Sequence, residues 1–229
     1  IFWRNSPEHV MMISQLQSFL THGSEMASVM CALLSFILLK LLNLDVNLQR
    51  DSENFKLLLI NILEDWLNIY ETQLIVHPLR DKTDPGFIIE ATSIMIQICE
   101  SKPIDEINSN WNWKVDKIDY KKVIDERNLN YDNRIYTEET FGDFAPDALA
   151  LALHIIYNSS DFSEIIYKTS IIGGNSSSIG CIACQIAGAY YGYNNIIKET
   201  SVMDWNRLLV QYDDNRTITN TILLYLLSN

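Results

Sequence analysis

The run from Met26 to Leu44, MASVMCALLSFILLKLLNL, is apolar on almost every side. A helix of this kind has no face to offer water, so other helices must wrap it or it must lie in lipid. It approaches the ~20 residues that cross a bilayer. Ser28, Ser35 and Lys40 interrupt it where a span should be cleanest. The reading is therefore a central bundle helix over about 23–43, following Thr21, with no membrane insertion. A chain of 229 residues that is 48% hydrophobic has enough apolar side chains to build a shell around it.

The rest of the chain supplies that shell. Ser6-Pro7 opens a helix over 7–20, with proline at a position where a helix tolerates it. Residues 52–72 place Phe55, Leu59, Ile62, Leu63, Trp66, Ile69 and Tyr70 on one face. Glu53, Asn61, Glu64, Asp65 and Asn68 fall largely elsewhere, which is amphipathic spacing. Asp84-Pro85-Gly86 is a turn before an apolar helix over 87–100. Pro146 begins another, through Tyr157. Asp161 and Glu164 form a capping box for a helix reaching about Ser170. A small-residue helix covers 178–191. Ser201 and Asp204 make a looser box ahead of Trp205, Leu208 and Leu209, and a last helix covers 217–227. The stretch 103–140 is the least regular and reads as a surface excursion with one short helix near 118–126. Trp111 and Trp113 within it read as packing onto the core. No repeat and no convincing strand is present, so the expected class is all-α, a single domain across 1–229.

Charge and cysteine content bound the partners. The net charge of −12 opposes unaided binding to nucleic acid or an anionic membrane, leaving protein partners. The chain opens on Ile1 without a secretory signal pattern, and further sequence is expected upstream. Of the four cysteines, Cys31, Cys99, Cys181 and Cys184, the last two form a CxxC. Zinc would need two more ligands at suitable spacing, and neither a second CxxC nor a histidine pair supplies them. Both cysteines read instead as small buried side chains, and the free thiols point to an intracellular, reducing location. His9, His77 and His154 stand in no constellation, and Asp213-Asp214 reads as solvated surface.

The segment Ile171–Gly180, IIGGNSSSIG, has the form of a ligand-binding loop at a helix start. Gly173 and Gly174 permit positive φ and close backbone approach. Ser176, Ser177 or Ser178 can cap the helix. The free N–H groups there attract anions. Gly180, Cys184 and Gly188 fall at i, i+4 and i+8 and give the helix a flat face. On these features alone, a glycine-rich link between packed helices and an anion-binding loop both remain open.

Longer stretches carry a family resemblance. DFSEIIYKTSIIGGNSSSIGCIACQIAGAYYG resembles the C-terminal signature of the ADP-ribosylglycohydrolase family, a short helix, then GGDTDT, then a small-residue helix ending in AGAYYG. SFLTHGSEMASVMCALLSFILL resembles the family's Thr-His segment and long central helix. FGDFAPDALALALHIIY and YGYNNIIKETSVMDW resemble the stretches before and after the signature. The likeness spans nearly all of residues 1–210 in register.

The resemblance implies an all-α fold that binds ADP-ribose and a pair of Mg²⁺ ions held by aspartates. It places a Thr-Asp-Asp metal motif upstream of Ile1. It sets Asn175 and Ser177 at the two aspartate positions of GGDTDT, and Ser178 at the threonine ligand. An amide carbonyl and hydroxyls supply no charge, and Mg²⁺ prefers anionic oxygen. Asp143 and Asp147 lie nearby by resemblance, but their spacing does not rebuild a two-metal cluster. The ligand-binding residues that the resemblance implies are His22, Gly142, Asp143, Gly174, Ser176 and Ser177, with Phe144 read as core. The expectation is a non-catalytic, metal-free structural or binding module, a subunit of a larger assembly, with ADP-ribose or an ADP-ribosylated protein as ligand. The alternative is an active Mg²⁺-dependent hydrolase that removes ADP-ribose.

Overall fold

The computed structural model describes residues 5–45, 49–71, 84–101, 112–119, 121, 123–125, 137 and 139–212. No strand occurs among them. The helices are α1 (Pro7–Thr21), α2 (Glu25–Leu42), α3 (Ser52–Glu71), α4 (Pro85–Glu100), α5 (Ala145–Tyr157), α6 (Phe162–Ile171), α7 (Ser176–Tyr191), the single turn α8 (Tyr193–Ile196) and α9 (Thr200–Val210). Residues 121 and 123–125 are helical, inside the short helix expected near 118–126. Most of the excursion, Trp111, His77, Asp213-Asp214, the Tyr70 side chain and the helix expected over 217–227 lie outside the described residues.

The apolar run forms α2 at the centre. With a mean hydropathy of 2.0 it has the length and composition of a membrane span. Here it packs against α1, α3, α4, α5 and α7. Leu33, Phe36, Ile37 and Leu41 are sealed from solvent. Each such side chain contributes about 1.5–3 kcal/mol relative to exposure. The face expected of α3 is the buried one: Phe55, Leu59, Ile62, Leu63 and Trp66 are in the core, while Glu53, Asn61, Glu64, Asp65 and Asn68 are exposed. Trp66 stacks at a tilt on Phe36, with centroids 5.3 Å apart, and its indole N–H meets Met95 Sδ of α4 at 2.8 Å.

Local signals set most helix ends. Asp84 Oδ1 accepts from Gly86 N–H at 2.8 Å and starts α4. Asp161 Oδ1 accepts from Glu164 N–H at 2.8 Å as expected of the cap, while Glu164 reaches back one residue further than a box requires, to Ser160 N–H at 2.7 Å. The Lys168 ammonium and the Ser160 donors hold the Glu164 carboxyl down at about 2. At the C-terminal end of α7, Gly192 takes φ +75° and the Arg50 guanidinium binds the Ala189 and Tyr190 carbonyls. A cation there satisfies free carbonyls and the negative end of the helix dipole together. Tyr190 stacks on Phe55 at 4.0 Å and donates to Asp51 O at 2.8 Å, which fixes α7 against the start of α3.

Three expectations are corrected. Ser201 does not cap α9; Glu199 precedes that helix without a side-chain cap. The Glu199 carboxylate is engaged by the start of α6, accepting from Ser163 N–H at 2.8 Å, and Ser201 Oγ lies 2.9 Å from Ser163 Oγ. The CxxC cysteines are not both buried: Cys181 is exposed and Cys184 half-buried, because α7 turns its Ile179, Ala183, Ile186 and Ala187 face to the core instead. On the flat face of α7, a Cβ at Gly180 would lie 3.6 Å from Thr169, whereas one at Gly188 would meet nothing within 4 Å.

Trp113 packs as expected. It is fully buried, donates to Ile98 O at 2.7 Å and meets Tyr157 edge-on at 5.4 Å. His154, which the sequence leaves as an ordinary histidine, is buried on α5 with Nδ1 3.1 Å from Trp113 O. It borders a cleft with Asp116, Asn158 and Lys168. Burial lowers its pKa, the Trp113 carbonyl opposes this, Lys168 adds to the lowering and Asp116 opposes it. The unfolded chain therefore takes up this proton first as pH falls. Stability from this residue is intact above about 6.5 and is lost as pH drops from there toward the folded-state pKa. Urea midpoints measured from pH 7.5 to 5.5 should fall on acidification, and less so in His154→Gln.

Candidate functional site

The N-terminal ends of α5 and α7 meet at one place, because both helices pack on α2 and on each other. The approach to α5 is Phe141-Gly142-Asp143, and the approach to α7 is Gly173-Gly174-Asn175. Phe141 and Gly142 are buried, and Asp143 is exposed.

Backbone contact holds the two approaches together. Asn175 N–H donates to Phe141 O at 2.8 Å. Gly174 has φ +53°, and a Cβ on it would lie 2.3 Å from that same carbonyl oxygen. Gly142 has φ +94°, and a Cβ there would lie 2.8 Å from Ile179 Cδ1 of α7. Glycine is therefore required at both positions by conformation and by space.

Asn175 completes the junction with its side chain. Its Oδ1 accepts from Ser178 N–H at 3.2 Å and from Ser177 Oγ at 3.1 Å. Asn175 is thus the cap of α7, and none of the three serines is. The helix starts at Ser176, two residues before the expected start. An amide oxygen one residue earlier reaches the same orphan donor that a serine would. The Asn175 Nδ2 amide donates to Asp143 Oδ1 at 2.7 Å.

These residues do not fit Mg²⁺. The Asn175 carbonyl oxygen is already committed to the helix start, and its N–H₂ side is turned to Asp143. The loop brings one carboxylate, Asp143, where a hard dication needs several anionic oxygens. No cluster of three His, Cys, Asp or Glu side chains suited to a metal occurs among the described residues. Asp147 is buried in the first turn of α5.

The structure gathers Gly142, Asp143, Gly174, Asn175, Ser176, Ser177 and Ser178 in one junction. His22 is exposed in the turn between α1 and α2, with Nδ1 2.9 Å from Thr21 Oγ1. No hydrogen bond ties it to the junction among the described residues. Phe144 is half-buried against the core, as expected. The sequence did not single out Phe141, whose carbonyl anchors Asn175. Its one visible signal is its place before a glycine in an otherwise polar stretch.

Gly174→Ala should cost about 2–3 kcal/mol, from a left-handed backbone and the displaced Phe141 contact. Gly173 also has positive φ, +78°, but nothing lies within 4 Å of its would-be Cβ. Gly173→Ala should cost only about 1 kcal/mol. Chemical denaturation of the two variants side by side checks the difference.

Comparison with known proteins agrees with the motifs. The ADP-ribosylglycohydrolase family model matches residues 1–224. The ADP-ribosylarginine hydrolase Tri1 of Serratia proteamaculans (strain 568) is 34% identical over 67 residues, 29% of this chain and 17% of that protein. The match thus spans well under two thirds of that relative's length. No solved structure matches the chain significantly. With an all-α bundle and a family match over almost its whole length, the chain belongs to the ADP-ribosylglycohydrolase family.

Proposed function

We propose that this chain is a non-catalytic member of its family that serves as an intracellular binding or structural module. The carrying observation is the Asn175 side chain. Where the resemblance expects a metal-binding aspartate, an amide caps α7 and donates to Asp143. Ser177 and Ser178, at the other two ligand positions, bring no charge. Without a bound dication, nothing at this junction polarises a glycosidic oxygen or lowers the pKa of a water.

The ligand proposed for the junction is ADP-ribose, free or on a modified protein. The start of α7 offers N–H groups at Ser176 and Ser177 to a diphosphate, and helix dipoles favour an anion there. Gly142 and Gly174 let a ligand approach the backbone closely. Asp143 and His22 complete the proposed set. Asp143 suits a ribose hydroxyl rather than a phosphate, since it is a carboxylate. The partners proposed are proteins, with the domain acting inside a larger assembly.

The second reading is an active Mg²⁺-dependent hydrolase, and the match to a protein named an ADP-ribosylarginine hydrolase favours it. An assay on an ADP-ribosyl-arginine substrate, with and without Mg²⁺, separates the two. The expected result is no turnover in either condition. Turnover that requires Mg²⁺ and disappears in Asn175→Ala would establish the hydrolase reading instead. Calorimetry with ADP-ribose then tests the ligand. Binding that weakens about tenfold or more in Gly174→Ala, a change of about 1.4 kcal/mol, is expected of a binding module. No heat at millimolar ADP-ribose would leave only a structural role.

A further inference from the structure

We infer that the Asn175 amide takes the place of a cation: it bridges Asp143 to the start of α7, so the junction is complete without metal. Three features of the geometry converge on this one residue. Its Nδ2 is a donor 2.7 Å from the exposed Asp143 carboxylate. Its Oδ1 caps α7 through Ser178 N–H at 3.2 Å. Its own backbone N–H is fixed to Phe141 O at 2.8 Å, which sets where the side chain starts from.

An aspartate at 175 would keep the cap and lose the bridge. Its second oxygen would face Asp143 Oδ1, acceptor to acceptor and charge to charge. Two carboxylates so placed need either a shared proton or a cation between them. The amide removes that need by supplying hydrogens from a group of nearly the same shape. The pairing is also reciprocal. An amide at 143 facing a carboxylate at 175 makes the same bridge with donor and acceptor exchanged, and aspartate is as good a cap as asparagine.

This inference rests on the metal-free reading of the loop, and does not depend on ADP-ribose binding. The test is thermal unfolding of the full chain in EDTA and in millimolar Mg²⁺, for wild type, Asn175→Asp, Asp143→Asn and the double exchange Asp143→Asn/Asn175→Asp. Far-UV circular dichroism confirms that each variant is folded before heating. Wild type is expected to melt at the same temperature in both buffers. Asn175→Asp is expected to melt lower in EDTA by about 3–6 °C, and to recover most of that loss in Mg²⁺. The double exchange is expected to melt near wild type in EDTA and to gain nothing from Mg²⁺. Asp143→Asn, which keeps a donor–acceptor pair available, should lose less than Asn175→Asp. A double exchange that melts no higher than Asn175→Asp in EDTA, with wild type indifferent to Mg²⁺, overturns the bridge while sparing the metal-free reading. Stabilisation of wild type by Mg²⁺ overturns both. Asn175→Asp without a Mg²⁺ response overturns the equivalence of amide and cation.

Discussion

Everything in this structure depends on hiding α2. A helix with Leu33, Phe36, Ile37 and Leu41 at full burial, and Val29, Met30 and Ala32 nearly so, has to be enclosed from several directions at once. Five helices do this, and their positions follow from its shape. Two of them, α5 and α7, also pack on each other. Helices that share a core helix and touch along their length bring their ends together, and here the meeting ends are both N-termini. The candidate site is therefore a by-product of core packing. Its backbone geometry is inherited from the hydrophobic effect and needs no ligand to assemble.

Two converging N-termini concentrate unsatisfied N–H groups and positive dipole ends. The chain answers with Asp143 just ahead of α5, Asp147 in its first turn, and an amide, Asn175, at the start of α7. The balance between them is local. Asp143 accepts a hydrogen bond from the Asn175 amide, and Asn175 satisfies partners of opposite polarity at once. Gly174 makes the distance short enough for this, since a side chain there would meet the Phe141 carbonyl and push the two approaches apart.

Much of the fold was legible in the sequence because it is written in periodic apolar patterns and short-range caps. The α3 face, the Asp161 cap, the Pro-started helices and the buried role of Trp113 all depend on residues within a turn or two, or on burial alone. The misreadings share a different cause. Ser201 has the spacing of a cap, but the Glu199 beside it is captured by Ser163 of α6, a contact 36 positions away. Cys181 and Cys184 have the size of buried residues, but only one side of α7 faces the core, and Cys181 is on the other. His154 has no neighbours of interest in sequence, and its partner Trp113 is 41 positions away. In the site, the glycines could be read directly from the need for positive φ. That Asn175, and not a serine, caps α7 could not, because serine and asparagine are equivalent as caps until the loop's conformation is known.

The family pattern and the affinity of a loop for metal rest on different properties of its residues. The features that carry the family pattern here are glycines, small helical residues and apolar stripes, and these are held by packing. Packing is insensitive to the exchange of a carboxylate for an amide, since the two differ by almost no volume. Metal binding is sensitive to little else. A single exchange at 175 therefore leaves the fold and the loop in place while inverting what the loop offers, from an anionic oxygen to a hydrogen-bond donor. Asp143 gives that donor somewhere to go, and this is why the exchange need not leave a buried or strained group behind. The amide at 175 thus keeps the packing of the loop while presenting Asp143 with a hydrogen-bond donor.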